Sequence, residues 1–173
     1  MSLDPIFQII ALDKGLHDRK MFDCGVEVLN RYLGQRARKE VEGNVASCFV
    51  ITALANPERV LGFYTLSATA IEAFDFSESQ RKKLPRYKQY PAVLLGRLAV
   101  DLNSRGKRIG SRLMQNAIAR SVSAADDLGV LAIVTDPKDE DARNFYARFG
   151  FTILNETRLY LPIRHAQELL KNR

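Results

Sequence analysis

A mixed α/β sheet of about six to seven strands, with helices on both faces, is the architecture encoded by this 173-residue chain. Three features carry that reading. Val93–Val100, a helix opening at Ile109, and Val130–Val134 make a strand, a crossover helix and a strand, which handedness turns into a parallel or nearly parallel pair. Cys48–Ala53 and Val60–Ser67 are β-branched and apolar runs on either side of the Asn56-Pro57-Glu58 turn, and they read as an antiparallel pair. Helical and strand-length patterns then alternate to the end of the chain, the signature of a sheet covered by helices.

The elements follow in order. Ile6–Leu12 is apolar enough for a first strand, and Phe22-Asp23-Cys24-Gly25 is a turn. Val26, Leu29, Leu33 and Ala37 recur at helical spacing with basic residues between them, which predicts a helix over about 25–42, ended by Gly43-Asn44. The two paired strands come next. Residues 75–91 are polar, rich in Lys, Arg and Tyr, and contain Pro85 and Pro91, so a short helix and a loop are expected there. After Val93–Val100 comes a tight basic loop, Asn103–Arg108, and Ile109, Leu113, Ala117 and Ile118 carry a long helix to about Asp127. Asp139–Phe149 is a helix ended by Gly150, with Ala142, Phe145 and Phe149 on its buried side. Phe151–Leu154 and Thr157–Leu161 are terminal strands, and Ile163–Leu170 is helical.

Composition bounds the function. The length suits one domain over 1–173, and 46% hydrophobic residues exclude a disordered chain. No apolar run is long enough to cross a bilayer. Met1-Ser2-Leu3-Asp4-Pro5 has no basic region followed by an apolar stretch, so no secretion signal is expected. Cys24 and Cys48 fit no metal-ligand spacing, no metal site is expected, and a reducing cytoplasm is the simplest compartment. A net charge of +6 and a pI near 9.5 permit an anionic partner, whether a nucleotide cofactor or a nucleic acid.

The most informative stretch runs from Leu95 to Ser111. A strand enters a loop with Arg105, Gly106, Lys107 and Arg108, and the loop opens a helix at Ile109-Gly110-Ser111. Amides at a helix N-terminus lack main-chain partners and carry partial positive charge, which suits phosphate. The three basic side chains add full charges, and Gly106 and Gly110 let the backbone approach a ligand. The spacing is neither that of a Walker loop nor that of a dinucleotide fingerprint.

This loop resembles the CoA-binding motif of the GNAT acetyltransferases, Gln/Arg-x-x-Gly-x-Gly/Ala. Arg105 matches its first position and Gly110 its last, while Arg108 stands where the middle glycine is usual. Downstream, Tyr146 followed by Ala147, Arg148, Phe149, Gly150 and Phe151 is similar to the family's Tyr-containing helix, whose tyrosine points at the CoA sulfur. The resemblance implies a GNAT fold and acetyl-CoA as cofactor. It places cofactor contacts at Leu98, Ala99, Val100, Arg105, Gly106, Lys107, Arg108, Ile109, Gly110, Ser111, Asn144 and Phe145, and general-acid catalysis at Tyr146. A well-placed phenol can protonate a departing thiolate. No compelling general base is visible. Glu72 and Asp101 are candidates, and His17 and His165 read as surface or packing residues. A site without a base favours an amine of low pKa, so α-amines, near pKa 8, over lysine side chains, near 10.4.

Phe22-Asp23-Cys24-Gly25, Gly62-Phe63-Tyr64-Thr65-Leu66-Ser67, Leu94-Leu95-Gly96-Arg97-Leu98-Ala99-Val100-Asp101 and Leu159-Tyr160-Leu161-Pro162 extend the resemblance to the GNAT toxins of bacterial toxin–antitoxin pairs, of the TacT and AtaT type. That family implies acetylation of the α-amine of aminoacyl-tRNA, a ribbon-helix-helix antitoxin as partner, and a homodimer. Basic surface for a polyanion is available at Arg31, Arg36, Arg38 and Lys39, and at Arg81, Lys82, Lys83, Arg86 and Lys88, with Tyr87 and Tyr90 interleaved for base stacking. Such charge runs also serve as solvated helix faces. Arg97 either holds the acceptor end of tRNA or a phosphate, or pairs with Asp101 or Asp136. Cys24 reads as a small buried residue at a turn. Two alternatives stay open: a GNAT enzyme acting on a small-molecule or protein amine, and a non-catalytic module that binds CoA or a partner.

Overall fold

The computed structural model describes residues 6–173, so the reading of the first five residues as lacking a secretion signal lies outside it. Among the described residues there are seven strands: β1 (Phe7–Ala11), β2 (Ser47–Ala53), β3 (Gly62–Glu72), β4 (Gln89–Val100), β5 (Ala132–Thr135), β6 (Thr152–Ile153) and β7 (Leu159–Pro162). They hydrogen-bond in the order β1-β2-β3-β4-β5-β7-β6. β2 and β3 are antiparallel, with Val50 opposite Phe63, and β4 and β5 are parallel, with Val93 opposite Ile133, both as the hydrophobic runs require. The mixed sheet is therefore as expected.

The chain divides into two compact units. The first takes the chain up to Ser67 together with Gly96–Ala117. Its helical segment is α1 (Glu27–Arg31), a π turn (Tyr32–Arg36) and α2 (Ala37–Glu42). The expected helix over 25–42 is present but not uniform. Tyr32 and Ala37 are both buried five residues apart, and the Ala37 amide donates to the Tyr32 carbonyl, which is the π repeat. The Arg19 guanidinium donates to the Leu33 and Gly34 carbonyls that this turn exposes. The segment seals one face of the unit's strands: Phe22, Tyr32, Leu33, Ala37, Cys48, Val50, Phe63 and Ala99 form its core. Cys24 is buried in the same core, as expected for a small turn residue. His17 is buried too; its Nδ1 accepts the Asp13 amide and burial pushes its imidazole below the ordinary value, so it is a neutral packing residue.

On the other face Phe49 stacks on Tyr64 at 5.2 Å, and the Tyr64 hydroxyl donates to Asn116 at 2.6 Å. Asn116 belongs to α4 (Ile109–Asp127), whose first turns bury Ile109, Leu113 and Met114. Gly62 is what lets α4 sit this close. A Cβ there would lie 2.8 Å from Leu113 Cδ1 and 2.9 Å from the Ala99 carbonyl. Gly62→Ala is therefore expected to cost about 1–3 kcal/mol in urea unfolding, because a backbone oxygen cannot yield as a side chain can. Unchanged stability would mean that the helix start is free to shift.

The second unit takes Ala68–Leu95 and Ile118–Arg173. It holds the short helix α3 (Glu78–Arg81), started by a capping box between Ser77 and Gln80, then α5 (Glu140–Ala147) and α6 (Ile163–Lys171). Its core gathers Ile71, Phe76, Tyr90, Ala92, Ala132, Val134 and Leu154. β3 and β4 are longer than expected, whereas β5 begins at Ala132 rather than Val130, α5 ends at Ala147, β6 keeps only Thr152–Ile153 and β7 begins at Leu159. β3 runs on to Glu72, and β4 begins at Gln89 rather than Val93, since Tyr90 and Ala92 alternate into this core. Tyr90 is thus no stacking platform. It packs edge-on against Phe76 at 5.8 Å, and its hydroxyl donates to the Pro85 carbonyl.

Candidate active site

The basic loop lies in the first unit, and a buried carboxylate fixes it. Asp101 is 1% exposed at the end of β4. Its Oδ2 accepts the Asp23 amide at 3.1 Å and the Arg59 guanidinium at 3.3 Å, and its Oδ1 accepts the Asn103 amide at 3.0 Å. Both oxygens are occupied, so Asp101 anchors the loop and is not a general base. The other acidic candidate, Glu72, accepts the Gln89 side-chain amide at 2.6 Å on the surface of the second unit, and nothing there directs it at a substrate. His165 is exposed.

Beyond Asp101 the chain makes a 3-10 turn (Leu102–Ser104) and then two left-handed residues, Gly106 at φ 80° and Arg108 at φ 57°. Arg108 stands in the left-handed backbone region that favours glycine. Its carbonyl accepts the Arg112 amide at 3.1 Å, which starts α4. A left-handed non-glycine residue costs roughly 1–2 kcal/mol. Arg108→Gly is accordingly expected to stabilise the protein by about 1 kcal/mol in urea unfolding. A loss of stability would show that the arginine side chain holds the loop.

Open space surrounds Gly106, where a Cβ would meet nothing within 4 Å. Arg105, Lys107 and Arg108 are exposed, and among the described residues none of them forms an ion pair. Arg105 makes one long hydrogen bond, 3.4 Å to the Cys24 carbonyl. Ile109 is buried, Gly110 and Ser111 are half-buried, and α4 presents its first-turn amides here. Three unpaired cations beside a helix start and an open glycine suit a pyrophosphate. Leu98 and Val100 are half-buried on β4, whereas the Ala99 side chain belongs to the core, which leaves Ala99 only its backbone to offer a ligand.

Tyr146 lies in the second unit on α5, whose N-terminus is capped by the Asp139 carboxylate accepting the Ala142 amide at 2.8 Å. Tyr146 is the buried residue of this helix; Ala142, Phe145 and Phe149, expected on the buried side, are half-covered. Phe145 and Phe151 flank the phenol ring, each with its centroid at 5.6 Å. Burial pushes the phenol above its ordinary value, and a hydrogen bond with Thr135 pulls the other way. The group is a protonated phenol at neutral pH, able to give a proton. Asn144, next to it in sequence, is exposed.

The proposed substrate contacts fall in both units. Arg36 and Lys39 are exposed on the first unit's helical segment, and Arg86 and Lys88 on the second unit. The latter pair, with Arg81, Lys82 and Tyr87, lines a cavity of about 590 Å³. Arg97 pairs with neither Asp101 nor Asp136. Asp101 is taken by Arg59 and Asp136 by Arg158 at 2.7 Å. Instead its guanidinium lies 3.6 Å over the Tyr32 ring and 3.9 Å from Glu40, whose carboxylate accepts the Tyr32 hydroxyl at 2.7 Å. That cluster was not legible in the sequence, because no spacing links Tyr32, Glu40 and Arg97. Among the described residues no group of acidic, His or Cys side chains can hold a metal, and no helix is long and apolar enough to cross a membrane.

The acetyltransferase (GNAT) domain family matches residues 45–153. The tRNA-acetylating toxin of Mycobacterium tuberculosis (strain ATCC 25618 / H37Rv) is 37% identical over 84% of this chain and 85% of its own. The solved structure of AtaT complexed with acetyl-methionyl-tRNAfMet superposes with a TM-score of 0.86 at 29% identity, over 95% of this chain and 99% of that one. A mutant AtaT toxin bound to the C-terminus of the antitoxin AtaR and acetyl-CoA gives 0.80 at 26% identity, over 95% and 98%. The family match and these relatives define an acyl-group transferase. The chain belongs to the GNAT acetyltransferases.

Proposed function

We propose that this protein is an acetyl-CoA-dependent toxin that acetylates the α-amine of aminoacyl-tRNA and so blocks translation. The observation that carries the proposal is the relative named a tRNA-acetylating toxin, 37% identical across 84% of the chain. The likeness to AtaT with acetyl-methionyl-tRNAfMet supports the same substrate class. Residues 1–173 act as one acetyltransferase domain.

Acetyl-CoA supplies the activated acetyl thioester. Arg105, Lys107, Arg108 and the amides of Gly106, Ile109, Gly110 and Ser111 hold its pyrophosphate, with Leu98, Ala99, Val100, Asn144 and Phe145 as further contacts. Tyr146 gives its phenolic proton to the sulfur that leaves. The attacking amine arrives as the free base without help from the protein, because an electron-withdrawing ester holds an α-amine below the usual value near 8. Arg36, Lys39, Arg86, Lys88 and Arg97 hold the tRNA; the exposure of the first four supports this. Exposed Tyr87 offers the stacking surface that buried Tyr90 does not. The enzyme works in the cytoplasm as a homodimer, restrained by a ribbon-helix-helix antitoxin, in keeping with AtaT bound to AtaR.

A cell-free translation reaction tests the reading. Protein synthesis is expected to stop on adding the purified protein only when acetyl-CoA is present. Synthesis that continues with acetyl-CoA at saturation contradicts it.

A further inference from the structure

We infer that Phe74 is a base-stacking residue: with Tyr87 it forms a platform, beside a basic cavity of the second unit, for unpaired nucleotides of the substrate RNA. The inference rests on the reading of charged tRNA as substrate. It adds a residue that no motif marks, and it names the form of RNA this surface takes, a single strand rather than a double helix.

β3 ends at Glu72 and β4 begins at Gln89, and the two segments stay joined just beyond. The Gln89 side-chain amide donates to Glu72 at 2.6 Å, and the Ala73 amide donates to the Lys88 carbonyl at 2.8 Å. The next residues outward on these segments are Phe74 and Tyr87, 76% and 69% exposed. Phe74 does not serve the core. Two positions on, Phe76 turns inward and packs edge-on against Tyr90 and Tyr160 at 5.8 and 5.9 Å. Tyr87 is held in place: its ring meets Tyr90 edge-on at 6.4 Å, and the Tyr90 hydroxyl is tied to the Pro85 carbonyl. A ring fixed by such a contact loses little freedom when a ligand stacks on it.

Charge selects the ligand. Tyr87 and Ala73, the neighbour of Phe74, line the cavity that also holds Arg81, Lys82, Arg86 and Lys88. Its one carboxylate, Glu78, pairs with Lys82 at 3.7 Å. Among the described residues Arg81, Arg86 and Lys88 form no ion pair. Cations alone would suit any polyanion, and exposed rings alone any apolar surface. Together they suit a ligand in which flat bases alternate with phosphates. Bases inside a double helix are already stacked on one another and offer side chains no face, so the platform takes unpaired nucleotides.

Fluorescence anisotropy with fluorescein-labelled oligoadenylate tests the platform, with a matched RNA duplex and polyglutamate as comparisons. Phe74→Ala is expected to weaken oligoadenylate binding about tenfold, the worth of one stacked base. Phe74→Leu, apolar but without an aromatic face, is expected to do the same, and Phe74→Trp to keep the affinity. Duplex and polyglutamate should bind F74A as they bind the parent. The salt dependence of oligoadenylate binding should be unchanged in F74A, which loses no phosphate contact, and shallower in Arg86→Ala. Parent-like oligoadenylate binding by F74A, or an equal loss for all three ligands, overturns the inference. So does a changed oligomeric state of F74A in light scattering with RNA affinity intact, which would assign the ring to contact between copies of the chain. In acetyl transfer to bulk aminoacylated tRNA, F74A is expected to raise KM for tRNA about tenfold at the parent's KM for acetyl-CoA. An unaltered KM for tRNA overturns the platform while leaving the substrate reading in place. No transfer to charged tRNA by the parent removes the substrate reading itself, and the oligoadenylate affinities then decide the platform alone.

Discussion

Tyr146→Phe is expected to lower turnover by about 10²- to 10⁴-fold, the usual worth of a general acid, at unchanged affinity for acetyl-CoA. Phenylalanine keeps the ring between Phe145 and Phe151, so the packing of α5 survives. What disappears is one proton beside the leaving sulfur. An interaction made only in the transition state appears in kcat, not in ground-state binding. The pH profile follows from the same assignment. Burial raises the phenol above its ordinary value of 10, so the active, protonated form persists through neutral and mildly alkaline solution. The rate is expected to rise with pH as the substrate amine loses its proton, somewhat below pH 8 for an ester-linked amine, and to show no fall below pH 10. A fall between pH 8 and 10 would assign the acid to another group. Rapid-mix assays of label transfer give the turnover, and calorimetric titration the affinity.

Replacing Arg105 and Lys107 together with alanine is expected to weaken acetyl-CoA binding by about 100-fold or more, since hydrogen bonds to charged groups contribute roughly 1.5–3 kcal/mol each. Both residues are exposed, and Arg105 has only a 3.4 Å bond to the Cys24 carbonyl to lose within the protein. Unfolding midpoints should therefore match the parent. At saturating acetyl-CoA kcat should be nearly unchanged, because these contacts exist equally before and during the reaction. Unaltered affinity by calorimetry would show that the loop does not hold the pyrophosphate.

The order of elements was legible because strand-length and helix-period patterns alternate without ambiguity from Cys48 to Leu161, and the parallel pairing of β4 with β5 follows from a crossover too long for a hairpin. Strand ends were less so. Tyr90 and Ala92 alternate into a core, but the proline between them and the surrounding charges read as loop. The π turn was hidden because Val26, Leu29, Leu33 and Ala37 satisfy an ordinary helix equally well. Arg108 looked like a defect in the loop, since side-chain identity does not reveal that a non-glycine residue sits at φ 57°. Asp101 looked like a possible base because its occupants, Asp23 and Arg59, lie 78 and 42 residues away in sequence.

The central claim is transfer of acetyl to an amino acid already esterified to tRNA. Purified protein incubated with radiolabelled acetyl-CoA and total bacterial tRNA, either charged or stripped of amino acids, tests it most directly. Label on charged tRNA alone, released by mild alkali that cleaves the aminoacyl ester, is the predicted result. No label on either pool, with acetyl-CoA still bound by the protein, would contradict the claim and assign the acetyltransferase to a small-molecule or protein amine.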